Sequence, residues 1–303
     1  MLWFKRLLTS LLLVLSAYSF GHPSWGIVVD DAGMVYFVEP MHNGTGTLWQ
    51  FNTKTKELKP VFKDFHSHSL TINGLNQLHT AIAIWKTGEI EGEGHNYLFK
   101  FFPKTGKLDT LIFTDDWDAF YGGNFEISGD EKKVYFPMDK KLFERDLESG
   151  KVKALDFTFK RFCTMTFDDH ENLWITDSDY KGGSLLKYDG KEFIEYSTRI
   201  FPQKRPNAIF EEQRHQIFYG IGFSENGNPL LTENVENSIW EINPDGSKNT
   251  CYTSEKTWYP TGVYFKDGRY YVMEFGFTHQ NNGPRLIVLN QNFNEIERFE
   301  FGF

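Results

Sequence analysis

Gly46-Thr47-Leu48-Trp49-Gln50-Phe51 returns five more times in altered letters along this 303-residue chain. The later copies are Asn96-Tyr97-Leu98-Phe99-Lys100-Phe101, Lys140-Lys141-Leu142-Phe143-Glu144-Arg145 and Gly183-Ser184-Leu185-Leu186-Lys187-Tyr188. Asn237-Ser238-Ile239-Trp240-Glu241-Ile242 and Pro284-Arg285-Leu286-Ile287-Val288-Leu289 complete the set. Each reads as a strand closed by a turn such as Lys104-Thr105-Gly106 or Pro244-Asp245-Gly246. Counted from Leu48, Leu98, Leu142, Leu185, Ile239 and Leu286, the gaps are 50, 44, 43, 54 and 47 residues. Six strand-built units at that period predict a propeller, since each unit must stack on its neighbours to bury its faces.

Working outward, the quoted strand is third of four, a to d. Strand a ends at a polar turn, as in Met165-Thr166-Phe167 before Asp168-Asp169-His170-Glu171-Asn172. Strand b follows at once, as in Leu173-Trp174-Ile175-Thr176. Asp, Asn and Gly between two short aromatic or β-branched runs are hairpin signals. The expected fold is all-β, a six-bladed β-propeller of four-stranded antiparallel blades. The blades are expected at about 22–62, 66–113, 119–159, 161–198, 216–255 and 258–303, in one domain. Residues 199–215 fit no strand; Ala208 to His215 reads as a short inserted helix, or Ile209-Phe210 as part of a seventh, incomplete blade.

The first residues read as an export signal. Lys5 and Arg6 precede the mostly apolar run Leu7 to Ala17, with small-x-small cleavage sites near residue 21. That run is short for a bilayer span. Cleavage of 1–21 and a periplasmic or secreted location follow as expectations, with no membrane insertion afterwards. The charge is −9, from 32 basic and 41 acidic residues, and losing Lys5 and Arg6 makes it 30 − 41 = −11. An acidic surface repels phosphate backbones, so nucleic acid is not an expected partner. Cys163 and Cys251 map to an innermost and an outermost strand, too far apart for the ~5.5 Å Cα separation of a disulfide. A monomer is expected.

Topology gathers chemistry at one face. The b-to-c and d-to-a connections share it, and acids stand in register after strand b: Glu39, Asp177, Glu233 and Glu274. His22, His66, His68 and Asn124 fall near the starts of strands a, and His42, His95 and His279 in b-to-c loops. Such a concave mouth predicts a site for a small-molecule or protein ligand. His66-Ser67-His68 places two imidazoles on one side, as alternate residues do on a strand. That suits zinc or another borderline ion, with Asp177 or Glu233 as third ligand, whereas the acid ring and Asn124 suit calcium. The competing structural role of the acids is to accept backbone N–H bonds and hold their turns.

The segments Glu171-Asn172-Leu173-Trp174-Ile175-Thr176-Asp177-Ser178 and Gly227-Asn228-Pro229-Leu230-Leu231-Thr232-Glu233-Asn234 resemble NHL-type repeats. They are also similar to the senescence-marker-protein/gluconolactonase/strictosidine-synthase-like superfamily, and strand b resembles that of streptogramin lyases. Gly21-His22-Pro23-Ser24-Trp25 is similar to the lactonase opening, with Gly21 or His22 near the place of its metal-binding Glu. The resemblance implies a six-bladed propeller with one divalent cation and lactone or ester hydrolysis. Two functions are thus expected: first, a binding or scaffold propeller; alternatively, a metal-dependent lactone or ester hydrolase or lyase. In the second, Asp177, Glu233, Asn124, His66, His68, Glu39 and Glu274 supply the metal ligands. His68 or His22 would then act as general base beside a metal-activated water.

Overall fold

The computed structural model describes residues 26–39, 46–68, 70–85, 94–115, 124–200, 217–277 and 282–302. They form six four-stranded antiparallel sheets, each built from four consecutive strands. Blade one holds β1 (Ile27–Val29), β2 (Met34–Glu39), β3 (Thr47–Asn52) and β4 (Glu57–Lys63). Blade two holds β5 (Leu70–Ile72), β6 (Leu78–Trp85), β7 (Gly94–Phe102) and β8 (Lys107–Thr114). Blade three holds β9 (Glu126–Ile127), β10 (Lys133–Met138), β11 (Lys141–Asp146) and β12 (Val152–Thr158). Blade four holds β13 (Phe162–Phe167), β14 (Leu173–Asp177), β15 (Ser184–Tyr188) and β16 (Phe193–Thr198). Blade five holds β17 (Phe218–Phe223), β18 (Pro229–Glu233), β19 (Ser238–Ile242) and β20 (Lys248–Thr253). Blade six holds β21 (Trp258–Lys266), β22 (Arg269–Phe277), β23 (Asn282–Asn290) and β24 (Glu295–Glu300). The repeated sequence is the third strand of every sheet. The only helical turn among the described residues is a 3-10 turn at Tyr180–Gly182. The proposed signal 1–21 and the insert read at 199–215, apart from Arg199 and Ile200, lie outside the described residues.

Side-chain alternation converts these strands into a closed ring. In β14, Leu173 and Ile175 enter a cluster shared with blade three, while Trp174 points into one shared with blade five. In β2, Val35 and Phe37 face blade six, and Tyr36 and Val38 face blade two. Period-two alternation therefore buries both faces of a strand, against different neighbours. Each of the six hydrophobic clusters fills one seam between adjacent blades. The seam between blades one and six closes the ring through Phe37 stacked on Phe301 at 5.0 Å and Phe51 meeting Phe299 edge-on at 4.8 Å. Burying each large side chain in these seams contributes about 1.5–3 kcal/mol.

Five of the six a-to-b turns are closed by the same device. Asp30, Asn73, Ser128, Asp168 and Ser224 each accept backbone N–H bonds from their own turn, as Asp168 does from His170 and Asn172. Such side chains satisfy a tight turn's donors locally. Blade six instead carries Lys266 there, and Asp267 (φ 51°) with Gly268 (φ 74°) makes a two-residue hairpin turn. One glycine is set by close approach: a Cβ on Gly222 would stand 2.3 Å from the Val263 carbonyl oxygen of the next blade. Strand a of blade five can press against blade six only without a side chain there.

Cys163 lies buried on β13, the innermost strand of its sheet, and Cys251 lies on β20, the outermost; both are free thiols.

Candidate functional site

The central channel encloses about 750 Å³ and is lined by strand a of all six blades together with the a-to-b turns. That volume is in the range of small-molecule sites. Strand register orders the lining into layers. The residue two positions before each turn-opening residue is Val28, Thr71, Glu126, Thr166, Gly222 or Tyr264. These pair with Tyr36, His79, Tyr135, Trp174, Leu230 and Tyr271 of their respective b strands. The six thus stand at one register of the ring. Its polar arc is contiguous, Thr71, Glu126 and Thr166 from blades two, three and four. Glu126 stands across the ring order from Tyr264.

Glu126 is 7% exposed, and its Oε2 accepts the Thr71 hydroxyl at 2.8 Å. The Thr166 hydroxyl also bonds it. Burial pushes the carboxyl up to about 8, and the two hydroxyls only partly offset that. An uncompensated buried carboxylate is costly, so the group keeps its proton instead. Near neutral pH the polar arc is therefore largely uncharged: one carboxylic acid that donates and accepts, and two hydroxyls. Tyr264 is likewise pushed up to about 12 by burial and keeps its phenolic proton.

Charge is concentrated at the turn end of the channel. Asp31, Asp168, Asp169, Glu171, Glu225 and Lys266 line it. Lys266 pairs with Asp31 at 2.6 Å, and Glu171 accepts the Gly129 N–H at 2.9 Å. Asp168 is fully engaged in its turn and with the Trp174 indole N–H at 2.8 Å.

The acids after strand b take a different place. Only strand a faces the axis, so Asp177, Glu233, Glu274 and Glu39 do not line the channel; all four are buried. Asp177 accepts four backbone N–H bonds: Lys160 at 2.7 Å, Arg161 at 3.0 Å, Asp179 at 3.0 Å and Tyr180 at 2.9 Å. It ties the d-to-a connection to the b-to-c turn. Glu233 accepts the N–H groups of Val235, Glu236 and Ser238, while burial pushes it up to about 7. Glu274 holds Tyr252 Oη at 2.8 Å, Ser254 Oγ at 2.5 Å and Arg285 Nε at 2.6 Å. These are turn and core contacts.

The expected metal set is therefore not assembled as one site. Among the described residues no three His, Cys, Asp or Glu side chains group as metal ligands. Asn124 lines the channel, apart from the strand-b acids. His66 and His68 do meet each other, with Nε2 atoms 2.9 Å apart. They do so from the non-strand connection between β4 and β5, not from a strand. His95 lies on β7 and bonds Asp115. His22, His42 and His279 lie outside the described residues. An Asp177→Ala variant separates the two roles. We expect about 2–4 kcal/mol of lost stability by urea unfolding, from stranded N–H groups. Metal content after dialysis should not change; a bound metal lost in this variant would restore Asp177 as a ligand.

Sequence reading missed Glu126. The signal was present: an acid two residues before the turn-opening Ser128, where the other blades carry Val28, Thr71, Thr166, Gly222 and Tyr264. The strand around it is only two residues long, which hid the register.

Comparison with solved structures agrees with this architecture. Virginiamycin B lyase from Staphylococcus aureus matches at TM-score 0.55 and 13% identity, over 93% of this chain and 85% of that one. A gluconolactonase-like protein matches at 0.56 and 13%, over 91% of both chains. A luciferin-regenerating enzyme matches at 0.57 and 12%, over 87% of this chain and 90% of that one. TolB from Acinetobacter baumannii matches at 0.54 and 14%, over 90% of this chain and 66% of that one. At such identities the likeness is one of fold. No protein-family model and no curated protein matches the chain. The chain is a six-bladed β-propeller.

Proposed function

We propose that this propeller is an exported binding protein that takes a small, neutral, hydrogen-bonding ligand in its central channel. The observation that carries this reading is the arc of Thr71, Glu126 and Thr166, in which the buried Glu126 carboxyl accepts the Thr71 hydroxyl and is pushed up to about 8 by burial. A protonated carboxyl flanked by hydroxyls suits polyhydroxylated or amide-bearing molecules, and it adds no fixed charge that would demand an ionic partner. Fold alone licenses no reaction, and the neighbours span lyases, a lactonase-like protein and TolB. A second reading has one specific support. A carboxyl near pH 8 is tuned for proton transfer, so Glu126 would serve as general acid or base toward a lactone or ester.

The test is a panel of neutral polyols, amides and lactones, titrated into wild type, Glu126→Gln and Glu126→Leu. Binding kept within threefold in Glu126→Gln and weakened about 10–100-fold in Glu126→Leu, the size of a lost buried hydrogen bond, supports the reading. Lactone turnover abolished in Glu126→Gln with binding intact favours the catalytic alternative. Binding unchanged in Glu126→Leu sinks both.

A further inference from the structure

His66 and His68 carry an inference independent of the channel. We propose that their two imidazoles form a site for a divalent transition metal of tetragonal preference, Cu(II) foremost and Ni(II) next. The segment that bears them is held firmly. Phe65 is buried in the seam between blades one and two, and its N–H bonds the Gly46 carbonyl at 3.1 Å. Ser67, between the two histidines, is 1% exposed and its hydroxyl meets that of Thr80 on β6 at 2.8 Å. With residues 65 and 67 anchored inward, the half-buried imidazoles are left to converge.

Their separations match those of two ligands at right angles around one ion. Two nitrogens each about 2.05 Å from an ion and at right angles stand about 2.9 Å apart, whereas tetrahedral placement requires about 3.3 Å. The Nε2 separation is 2.9 Å. A ring centroid lies about 1.15 Å behind its nitrogen, so right-angled ligands have centroids about 4.5 Å apart. Tetrahedral ligands, or an in-line imidazole–imidazole hydrogen bond, would give about 5.2 Å. The centroids are 4.7 Å apart, with planes at 82°. At least one imidazole axis is thus turned off the line between the nitrogens, as a shared ion requires of both. Right-angled imidazole donors match tetragonal Cu(II) and Ni(II) more closely than tetrahedral zinc, and Cu(II) binds nitrogen sites most strongly of the divalent series. Coordination through both Nε2 atoms leaves the proton of each neutral ring on Nδ1.

The experiment uses the untagged, chelator-treated chain. Cu(II), Ni(II) and Zn(II) are titrated separately, with native mass spectrometry for stoichiometry and electron paramagnetic resonance for the copper form. The expected result is one Cu(II) per chain with hyperfine structure from two imidazole nitrogens, and Ni(II) bound at least as tightly as Zn(II). His66→Gln and His68→Gln should each weaken Cu(II) binding at least tenfold, with circular dichroism unchanged. No stoichiometric Cu(II), a copper spectrum lacking imidazole nitrogen, or equal affinity in both variants overturns the proposal. Zn(II) bound more tightly than Ni(II) overturns the tetragonal assignment. Channel-ligand binding in the same variants should be unaffected, so this site and the Glu126 site fail or stand separately.

Discussion

Arg285→Met will lower the stability of the folded propeller by about 3–5 kcal/mol, the cost of stranding a buried charge. Arg285 is 1% exposed, a position arginine tolerates only when paired. It stands directly opposite Glu274 in the β22–β23 ladder, with Nε 2.6 Å from Oε2. Its Nη1 reaches Glu255 at 3.1 Å, and its guanidinium lies 4.1 Å from the centre of the Trp258 ring. Removing it leaves the Glu274 carboxylate with two hydroxyl donors and no counter-charge. The double variant Glu274→Gln/Arg285→Met should recover at least half of the loss, because an amide can still accept from Tyr252 and Ser254. Urea unfolding of the two variants measures both values. A single-variant loss under about 1 kcal/mol would show that the pair is solvated and contributes as a surface pair does.

Raising the pH from 5 to 9 should weaken the wild-type protein far more than Glu126→Gln. The Glu126 carboxyl titrates at about 8 when folded against an ordinary value of 4.5. Between those values the native state holds a proton that the unfolded chain has lost, so stability falls as pH rises. The contribution is fully present below about pH 4.5 and gone above about pH 8, with a slope of at most about 1.4 kcal/mol per pH unit and an upper bound near 5 kcal/mol. Glu233, pushed up to about 7, adds a slope of the same sign. His79 acts oppositely in acid, because burial lowers its pKa and the unfolded imidazole gains its proton first. Both groups are common to the two proteins, so the difference between their unfolding free energies at pH 5 and pH 9 isolates Glu126. Parallel pH profiles would mean that the channel hydrates Glu126 and that the carboxyl is ionised at neutrality.

The seams show why the fold was legible. Trp174 between Leu173 and Ile175, or Tyr36 between Val35 and Phe37, is apolar on both faces of one strand. Only a blade packed on two neighbours buries such a run. Local turn chemistry at Asp30, Asn73, Asp168, Asn52 and Asn290 is equally local in cause, since each side chain bonds N–H groups within four residues of itself. The site was less legible. Glu39, Asp177, Glu233 and Glu274 recur in register, and that recurrence suggested a shared metal ring. For Asp177, Glu233 and Glu274 it reflects structural partners: backbone donors for the first two, hydroxyls and Arg285 for the third.

From the residues alone came the all-β class, the six units, the order of strands within each and the placing of the two cysteines on different strands. All of these depend on hydrophobic alternation and short-range turns, which are properties of neighbouring residues. Tertiary structure alone decided which side chains face the axis. A strand-b acid and a strand-a acid look alike in sequence, but closing the ring turns Glu126 toward the channel and buries Asp177 beneath its own turn. It also decided that His66 and His68 converge from an irregular connection, because the anchors at Phe65 and Ser67 depend on residues of blades one and two that only packing brings together.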